Sequence, residues 1–421
     1  MRFVYTILFY LALPFLFLRL LWRSRRTPDY RRRWGERLGF CPFKLDHCIW
    51  VHAVSVGETI AAVPLIKALM KAFPESPIVV TNMTPTGAAR VKAALNDSVR
   101  QVYIPYDVPD AVNRFLQRIR PRVAVMMEGE LWPNLFASCR KYQIPIVIAN
   151  ACLSEKSARG YAIFGSVTRE MFKAIHHVAA AALIDQVGFL SLGLPREKIT
   201  ITGNLKFDLE LPVNLPEKSE LLRQQLKVGG ERLIWIAAST HEGEEEIILA
   251  AHQLVLQKNP SALLILVPRH PNRFDAIAEM IKQQKFDSVR RSQGGVCTPH
   301  TTVYLGDTMG ELLLLYSVAD VAFVGGSFVP IGGHNMLEPA VLHKPVVTGP
   351  LLFGFLEISQ LLLDAQGMVI AENAEELAIL IERFFAETNY RLMTGENAYK
   401  VVEANRGALE KQLDVIRQSI S

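Results

Sequence analysis

Beyond residue 47 the chain alternates short apolar runs rich in β-branched residues with longer stretches of helical period. Runs that are apolar at every position belong to strands covered on both faces, and helices between such strands make them parallel. A first series is expected at CIWVHAV (48–54), PIVVTNM (77–83), VRQVYIPY (99–106), RVAVMME (122–128) and IPIVIAN (144–150). A second series follows at RLIWIAAS (232–239), ALLILVPRH (262–270), TTVYLGD (301–307), VAFVGGS (321–327), PVVTG (345–349) and GMVIA (367–371). The pattern predicts α/β architecture with two doubly wound sheets. ELPVNLPEKSE (210–220), with two prolines, mixed charge and no helical period, is expected to be the linker between a first domain at 23–209 and a second at 221–390. The last stretch, 391–421, reads as helices. Ligands of such sheets gather outside the carboxyl ends of strands, so two domains of this kind imply a cleft with strand ends along it.

One segment departs from the alternation. FVYTILFYLALPFLFL (3–18) is uncharged and apolar, and it continues through Leu20, Leu21 and Trp22 with only Arg19 interrupting. About 20 apolar residues cross a bilayer as a helix, so residues 1–22 are expected to be a membrane anchor that spans or lies shallowly, with Arg19 snorkelling. Residues 1–40 hold nine arginines against Asp29 and Glu36, a net +7, which leaves about −2 on the rest of a chain of net charge +5. The arginines follow the apolar run and no A-x-A-like cleavage site does, which argues against a secretory signal. Arginines on that flank keep it in the cytoplasm and attract an anionic membrane surface. The basicity is local, and no nucleic-acid partner is expected. At 421 residues, half of them hydrophobic, the chain is long enough for two cores. Its five cysteines, with no C-x-x-C pair, suit a reducing compartment.

The candidate chemistry follows the strands. In FVGGSFVPIGGHNMLEPA (323–340) a strand ends in Gly325 and Gly326, two further glycines follow, and a helix is expected to start at Asn335. Glycines let backbone approach a ligand closely, and a helix start aims N–H groups at an anion such as phosphate. Asn335 with Glu338 also has the spacing of a capping box, which alone explains both residues. Arg269 and His270 end another strand, Met309, Gly310 and Glu311 sit at a helix start, and Ser239, Thr240, His241 and Glu242 follow the first strand of the second series. In the first domain Glu58 of SVGE is either a dipole-stabilising acid or a general base whose burial raises its pKa, and Glu128 and Glu130 end the fourth strand. The chain has no G-x-x-x-x-G-K-[ST], no G-x-G-x-x-G after a strand and no H-E-x-x-H, so a metal-free mechanism is expected.

HAVSVGE, EGELWPN, NLKFD, ASTHEGEEE, VPRH, MGEL and GGHNMLEPA, in this order between residues 52 and 340, resemble the 3-deoxy-D-manno-octulosonic acid (Kdo) transferases of lipid A and lipopolysaccharide biosynthesis. The resemblance covers nearly the whole chain, including the apolar N-terminus and its arginines. It implies a GT-B glycosyltransferase of two Rossmann-like domains facing a cleft, which moves Kdo from CMP-Kdo to a lipid A precursor at the cytoplasmic face of the bacterial inner membrane. No cofactor is implied besides the donor substrate. Glu58 matches the family's proton acceptor. Pro268, Arg269, Met309, Gly310, Glu311, Asn335, Met336, Leu337 and Glu338 match positions that hold the donor nucleotide, and Glu130 and Lys206 match positions lining the cleft. The C-terminal helices are implied to cross back onto the first domain. Gly129 stands where the family has threonine, and Cys152 of NACLSEKSARGY where it has arginine. The implied chemistry is a single inverting displacement, with Glu58 and the Arg269 side meeting as the cleft closes. Two other readings are an epimerase or hydrolase of the same shape, and a membrane-tethered protein that only binds the sugar nucleotide.

Overall fold

The computed structural model describes every residue except Arg26, Ser154, Phe164, Gly229 and Ser421, and not the side chains of Glu155 and Lys156. Arg26 of the arginine-rich segment and Ser154 of NACLSEKSARGY therefore lie outside the described residues. The chain forms two units, Met1–Asp208 with Asn405–Ser421, and Leu209–Ala404.

The first unit is built on β1 (Cys48–His52), β2 (Ile78–Asn82), β3 (Arg100–Tyr103), β4 (Pro121–Met127), β5 (Ile146–Ala151), β6 (Ile175–Ala180) and β7 (Ile199–Ile201). They pair in the order β3-β2-β1-β4-β5-β6-β7, all parallel. Successive side chains of β1 enter opposite cores: Cys48 and Trp50 pack with Phe115 and Phe136, Ile49 and Val51 with Leu65 and Leu69. Burial on both faces explains the uninterrupted apolar runs. After Ala404 the chain returns to this unit, where Ala408, Leu413 and Ile416 of helix Ala408–Ile420 join the second of these cores. Asp208 caps that helix, accepting from the N–H of Gly407 (2.7 Å) and Leu409 (2.6 Å).

The second unit holds β8 (Ile234–Thr240), β9 (Leu263–Pro268), β10 (Ser288–Arg290), β11 (Val303–Leu305), β12 (Val321–Val324), β13 (Val346–Thr348) and β14 (Met368–Ile370). Their order is β10-β11-β9-β8-β12-β13-β14, again all parallel. In each sheet the winding reverses beside the first strand, between β1 and β4 and between β8 and β12. The crevice of a doubly wound sheet opens at such a reversal, outside the carboxyl ends of the two strands.

Three strands were not expected. β6 carries an exposed His176 and a half-buried His177, which break its apolar run, while β7 and β10 are three-residue edge strands too short to show a period. The expected linker also differs from the structure: helix Leu215–Lys227 begins inside 210–220, and Leu215, Leu222 and Leu226 are buried. Pro216 occupies its first turn, where the missing N–H costs nothing, so a proline that reads as a breaker is here a start signal. The second unit extends past the expected limit at 390 to include helix Thr388–Ala404.

Candidate active site

At the reversal in the first sheet, β1 ends at His52 and Ser55 caps helix Val56–Ala72. A capping box closes there. Glu58 N–H donates to Ser55 Oγ (3.2 Å), and the Glu58 carboxylate accepts from Val54 N–H (2.8 Å) and Ser55 N–H (3.2 Å). The capping reading of this residue holds, and the side chain sits 8% exposed at the switch point. From the neighbouring strand, β4, the chain leaves through Glu128 at φ 61° and Gly129 at φ 139°. Glycine suits that second conformation better than the threonine that the resemblance implies at 129. Glu128 is anchored by its backbone, donating to Ala149 O (2.9 Å) and accepting from Cys152 N–H (2.8 Å).

These carboxylates feel one another. Burial pushes Glu128 above the ordinary carboxylate range, Lys206 pulls it back, and Glu58 and Glu130 add to the rise. Glu130 is raised by burial and then by Glu58. Tyr161, whose hydroxyl donates to Gly129 O (3.3 Å), is raised by burial and by Glu130. Glu58, Glu130 and Lys206, far apart in sequence, are thus brought into one acidic site with Glu128.

At the reversal in the second sheet, β8 ends in Ser239 at φ 60° and Thr240, followed by His241 and helix Glu244–Lys258. The residue after the end of β12, Gly325, packs so tightly that a Cβ there would lie 2.9 Å from Ser239 O and from Thr240 Cα. No larger residue fits. The loop that follows is held by Glu244, whose fully buried carboxylate accepts from the N–H of His241 (2.9 Å), Gly326 (2.7 Å), Ser327 (2.9 Å) and Phe328 (2.9 Å). Beside it Glu245 accepts from Thr240 Oγ1 (2.8 Å) and takes Arg273 with both oxygens (2.6 and 3.0 Å). The sequence places Ser239, Thr240, His241 and Glu242 after the strand and carries Glu244 and Glu245 only inside the ASTHEGEEE motif, with no sign of these contacts.

The N–H groups of 326 to 328 are taken by the internal Glu244 carboxylate. One expectation is corrected: the helix does not start at Asn335 but runs Leu337–Ala340, four residues only. Asn335 Oδ1 accepts from Leu337 N–H (3.2 Å) and its Nδ2 donates to Glu338 (3.4 Å), so the Asn-x-x-Glu spacing closes a side-chain turn. Gly332, at φ 100° and with Phe353 2.7 Å from where a Cβ would sit, fixes the path into that turn.

Pro268 is the last residue of β9, and Arg269 N–H donates to Thr240 O (3.0 Å). Around the Arg269 charge stand three imidazoles. His241 and His334 stack with Nε2 atoms 2.7 Å apart, and His270 meets His241 edge-on at 5.2 Å between centroids. Burial, then His241 and Arg269, push His334 down to about 4. His241 is lowered by burial, His270 and Arg269, and His270 by burial and Arg269. A negative charge placed beside them would oppose this lowering.

Further along the sheet, Gly310 at φ 84° turns the chain into helix Leu312–Val318, and Met309 is exposed. Glu311 grips Arg291 through both oxygens (2.7 and 2.6 Å), which holds Glu311 below its usual range. Arg291, Tyr304, Thr308 and Glu311 line an open pocket of ≈ 490 Å³ with Leu222 and Leu226. The partners of these acids, Arg273 and Arg291, carry no motif and were not found from sequence. Among the described residues no group of three or more His, Cys, Asp or Glu side chains is placed to hold a metal ion.

Known proteins match this arrangement. The family described as 3-Deoxy-D-manno-octulosonic-acid transferase (kdotransferase) matches residues 32–209, and Glycosyl transferases group 1 matches residues 231–401. A 3-deoxy-D-manno-octulosonic acid transferase of Haemophilus influenzae is 43% identical over 99% of this chain and 98% of its own. The enzyme of that name from Bordetella pertussis is 34% identical over 99% and 98%. Among solved structures, a glycosyltransferase of Rickettsia africae superposes with a TM-score of 0.58 at 15% identity, covering 89% of this chain and 99% of that one. That last likeness is one of fold, and it agrees with the two doubly wound sheets expected from the strand pattern and with the GT-B class that the resemblance implies. With full-length identity to two such enzymes, the chain belongs to the Kdo transferase family of glycosyltransferases.

Proposed function

We propose that the chain transfers Kdo from CMP-Kdo to a hydroxyl of a lipid A precursor by a single inverting displacement, at the cytoplasmic face of the bacterial inner membrane. The observation that carries this reading is the contrast between the two switch points: one gathers carboxylates, the other a guanidinium and imidazoles. In the displacement the acceptor oxygen bonds to the anomeric carbon, the bond from that carbon to the phosphate oxygen breaks, and CMP departs with the electron pair. The acceptor proton goes to Glu58. Its oxygens accept one backbone N–H each, and a carboxylate has about four lone-pair sites, so the pinned group keeps capacity for a proton.

Arg269 and the imidazoles of His241 and His270 meet the charge on the departing phosphate, a role that runs without a metal ion or other cofactor. Pro268, Met309, Gly310, Glu311, Asn335, Met336, Leu337 and Glu338 hold the rest of the donor nucleotide. Glu130 and Lys206 lie on the acceptor side, where Lys206 also steadies the charge on Glu128. The apolar N-terminal helix keeps the enzyme beside its lipid substrate, at an anionic surface that its arginines favour.

The test pairs wild type with Glu58→Gln, each given CMP-Kdo and a tetraacylated lipid A precursor in detergent micelles, with lipid mass and CMP release followed together. Kdo addition by wild type, lost in a variant that still binds CMP, is the expected result. CMP release with no change in lipid mass would replace the transferase reading with hydrolysis. Undiminished transfer by the variant would remove Glu58 from the mechanism.

A further inference from the structure

The helix Arg2–Arg23 is long and apolar enough to cross a membrane, with a mean hydropathy of 2.0. Its two long faces nevertheless have different surroundings. One face is docked on the first unit. Tyr5 bonds to the Asp107 carboxylate, Thr6 Oγ1 donates to Asn134 Oδ1 (3.0 Å), and Tyr10 donates to Asp110 (2.8 Å). Phe9 and Phe17 pack on Tyr106 at 6.4 and 5.6 Å, Phe17 meets Trp34 at 5.1 Å, and Leu20 is buried. The docking therefore extends from residue 5 to residue 20, nearly the whole helix. Asp107 ties it to the core, since its carboxylate also accepts from the N–H of Asn134 (3.0 Å) and Leu135 (2.7 Å).

The other face is bare. Val4, Leu8, Leu11, Phe15, Leu18 and Trp22 recur every three or four residues, and Leu8, Leu11 and Phe15 are 61%, 65% and 71% exposed. Residues three and four apart share one helix face, so these six form a continuous apolar stripe some 30 Å long. At its carboxyl end Arg19, Arg23, Arg25, Arg31 and Arg32 are all exposed. An apolar stripe rimmed by cations complements a bilayer with anionic headgroups.

The docked contacts decide how this helix meets the lipid. Upright in the bilayer, it would carry Asp107, Asp110 and Asn134 to hydrocarbon depth or break every contact named above. Burial in protein already lifts Asp107 to about 6, and ionisable groups are far more costly in hydrocarbon. Resting on the reading that this enzyme works at a membrane, we infer that the N-terminal helix lies in the membrane plane. It stays docked on the first unit and sinks its outer stripe into the boundary between headgroups and acyl chains of an anionic leaflet.

The test uses full-length protein with Thr6→Cys and Asn134→Cys, in a Cys152→Ser background that removes the exposed thiol. It is bound to sealed phosphatidylethanolamine and phosphatidylglycerol vesicles and mildly oxidised, and thiols are counted by maleimide mass tagging. An in-plane helix gives the intramolecular disulfide in the vesicle-bound fraction. Bound protein that keeps both thiols, or that reacts at an introduced Phe3→Cys with an impermeant reagent sealed inside the vesicles, overturns the inference in favour of a spanning helix. A second variant, Leu11→Glu with Phe15→Glu, is expected to lower vesicle partitioning at least about tenfold with an unchanged unfolding midpoint. Unchanged partitioning with loss of a dimer in sedimentation would assign the stripe to a second copy of the chain and overturn the inference. Transfer to micellar acceptor by wild type is measured in parallel, so a failed functional reading is seen separately from a failed orientation.

Discussion

Each switch point has a glutamate near the start of the helix that follows its first strand, and the two glutamates differ in what they still have to give. Glu58 accepts two backbone N–H groups at 2.8 and 3.2 Å and has Glu128 and Glu130 as charged neighbours. Glu244 accepts four, from His241, Gly326, Ser327 and Phe328, and is fully buried. Four donors use up about all the lone-pair sites of a carboxylate, and two leave half of them. The same device therefore makes a bracket in one unit, and in the other leaves a carboxylate with the free capacity that the proposed base needs.

The sharpest way to break this contrast is Glu58→Gln. The amide keeps the shape and can still accept a backbone N–H, but it takes no proton, and losing a general base typically costs about 10²–10⁴-fold. We expect kcat to fall in that range with CMP affinity unchanged, measured by lipid mass and by CMP titration. The complementary change, Glu244→Gln, places an NH₂ among four N–H donors. Buried N–H donors left facing an NH₂ are expected to destabilise the protein by about 1–3 kcal/mol, read by thermal unfolding, with weaker CMP binding as the loop loosens. If Glu244→Gln proved neutral to stability, the bracket would be no bracket.

A pH profile sharpens the acidic half. Glu128 is raised by burial and lowered by Lys206, so Lys206→Met removes the cation that opposes the rise. If the carboxylate cluster must be ionised to work, the acidic limb of kcat/KM then moves to higher pH, and activity near pH 6 drops several-fold more than at pH 8. Glu130→Gln removes a neighbour that raises Glu128, so its limb moves to lower pH. Opposite signs from the two variants identify the cluster as the titrating unit, and shifts of the same sign would not.

The sequence was readable where burial alone sets the pattern. β1, β4, β5, β8, β9 and β12 lie in the middle of their sheets, covered on both faces, and their apolar runs are unbroken. The places of Arg269 and the glycine loop were legible because each follows directly on one of these strands, and that of Glu58 because it lies in the first turn of the helix after β1. What lay outside reach depends on partners remote in sequence. Glu244 looks like one member of a solvated acidic helix start, and its burial rests on a loop 82 residues away. Arg291 acquires its meaning only from Glu311, on the next loop. Asn335 misled because its spacing to Glu338 is the same in a capping box and in a side-chain turn that precedes the helix, and Pro216 because its local effect depends on which side of it the helix lies.

The smallest expected effect concerns Cys152, where the resemblance implies arginine. Its backbone N–H donates to Glu128 O (2.8 Å), so position 152 is fastened to the acidic switch point while its side chain is exposed. Cys152→Arg adds a cation at that rim without touching the core, and an exposed change of this kind usually stays within about 0.5 kcal/mol in stability. The added charge favours ionised carboxylates nearby and a phosphorylated lipid approaching them. The acceptor KM is therefore expected to fall about two- to threefold in low-salt micelle assays, with the acidic limb moving slightly to lower pH and the CMP affinity of the other unit unchanged. Added salt should erase most of the gain, because the Debye length is about 10 Å at 0.1 M ionic strength and a rim charge is open to screening. A change in CMP affinity of the same size would mean that the two switch points do not divide donor from acceptor.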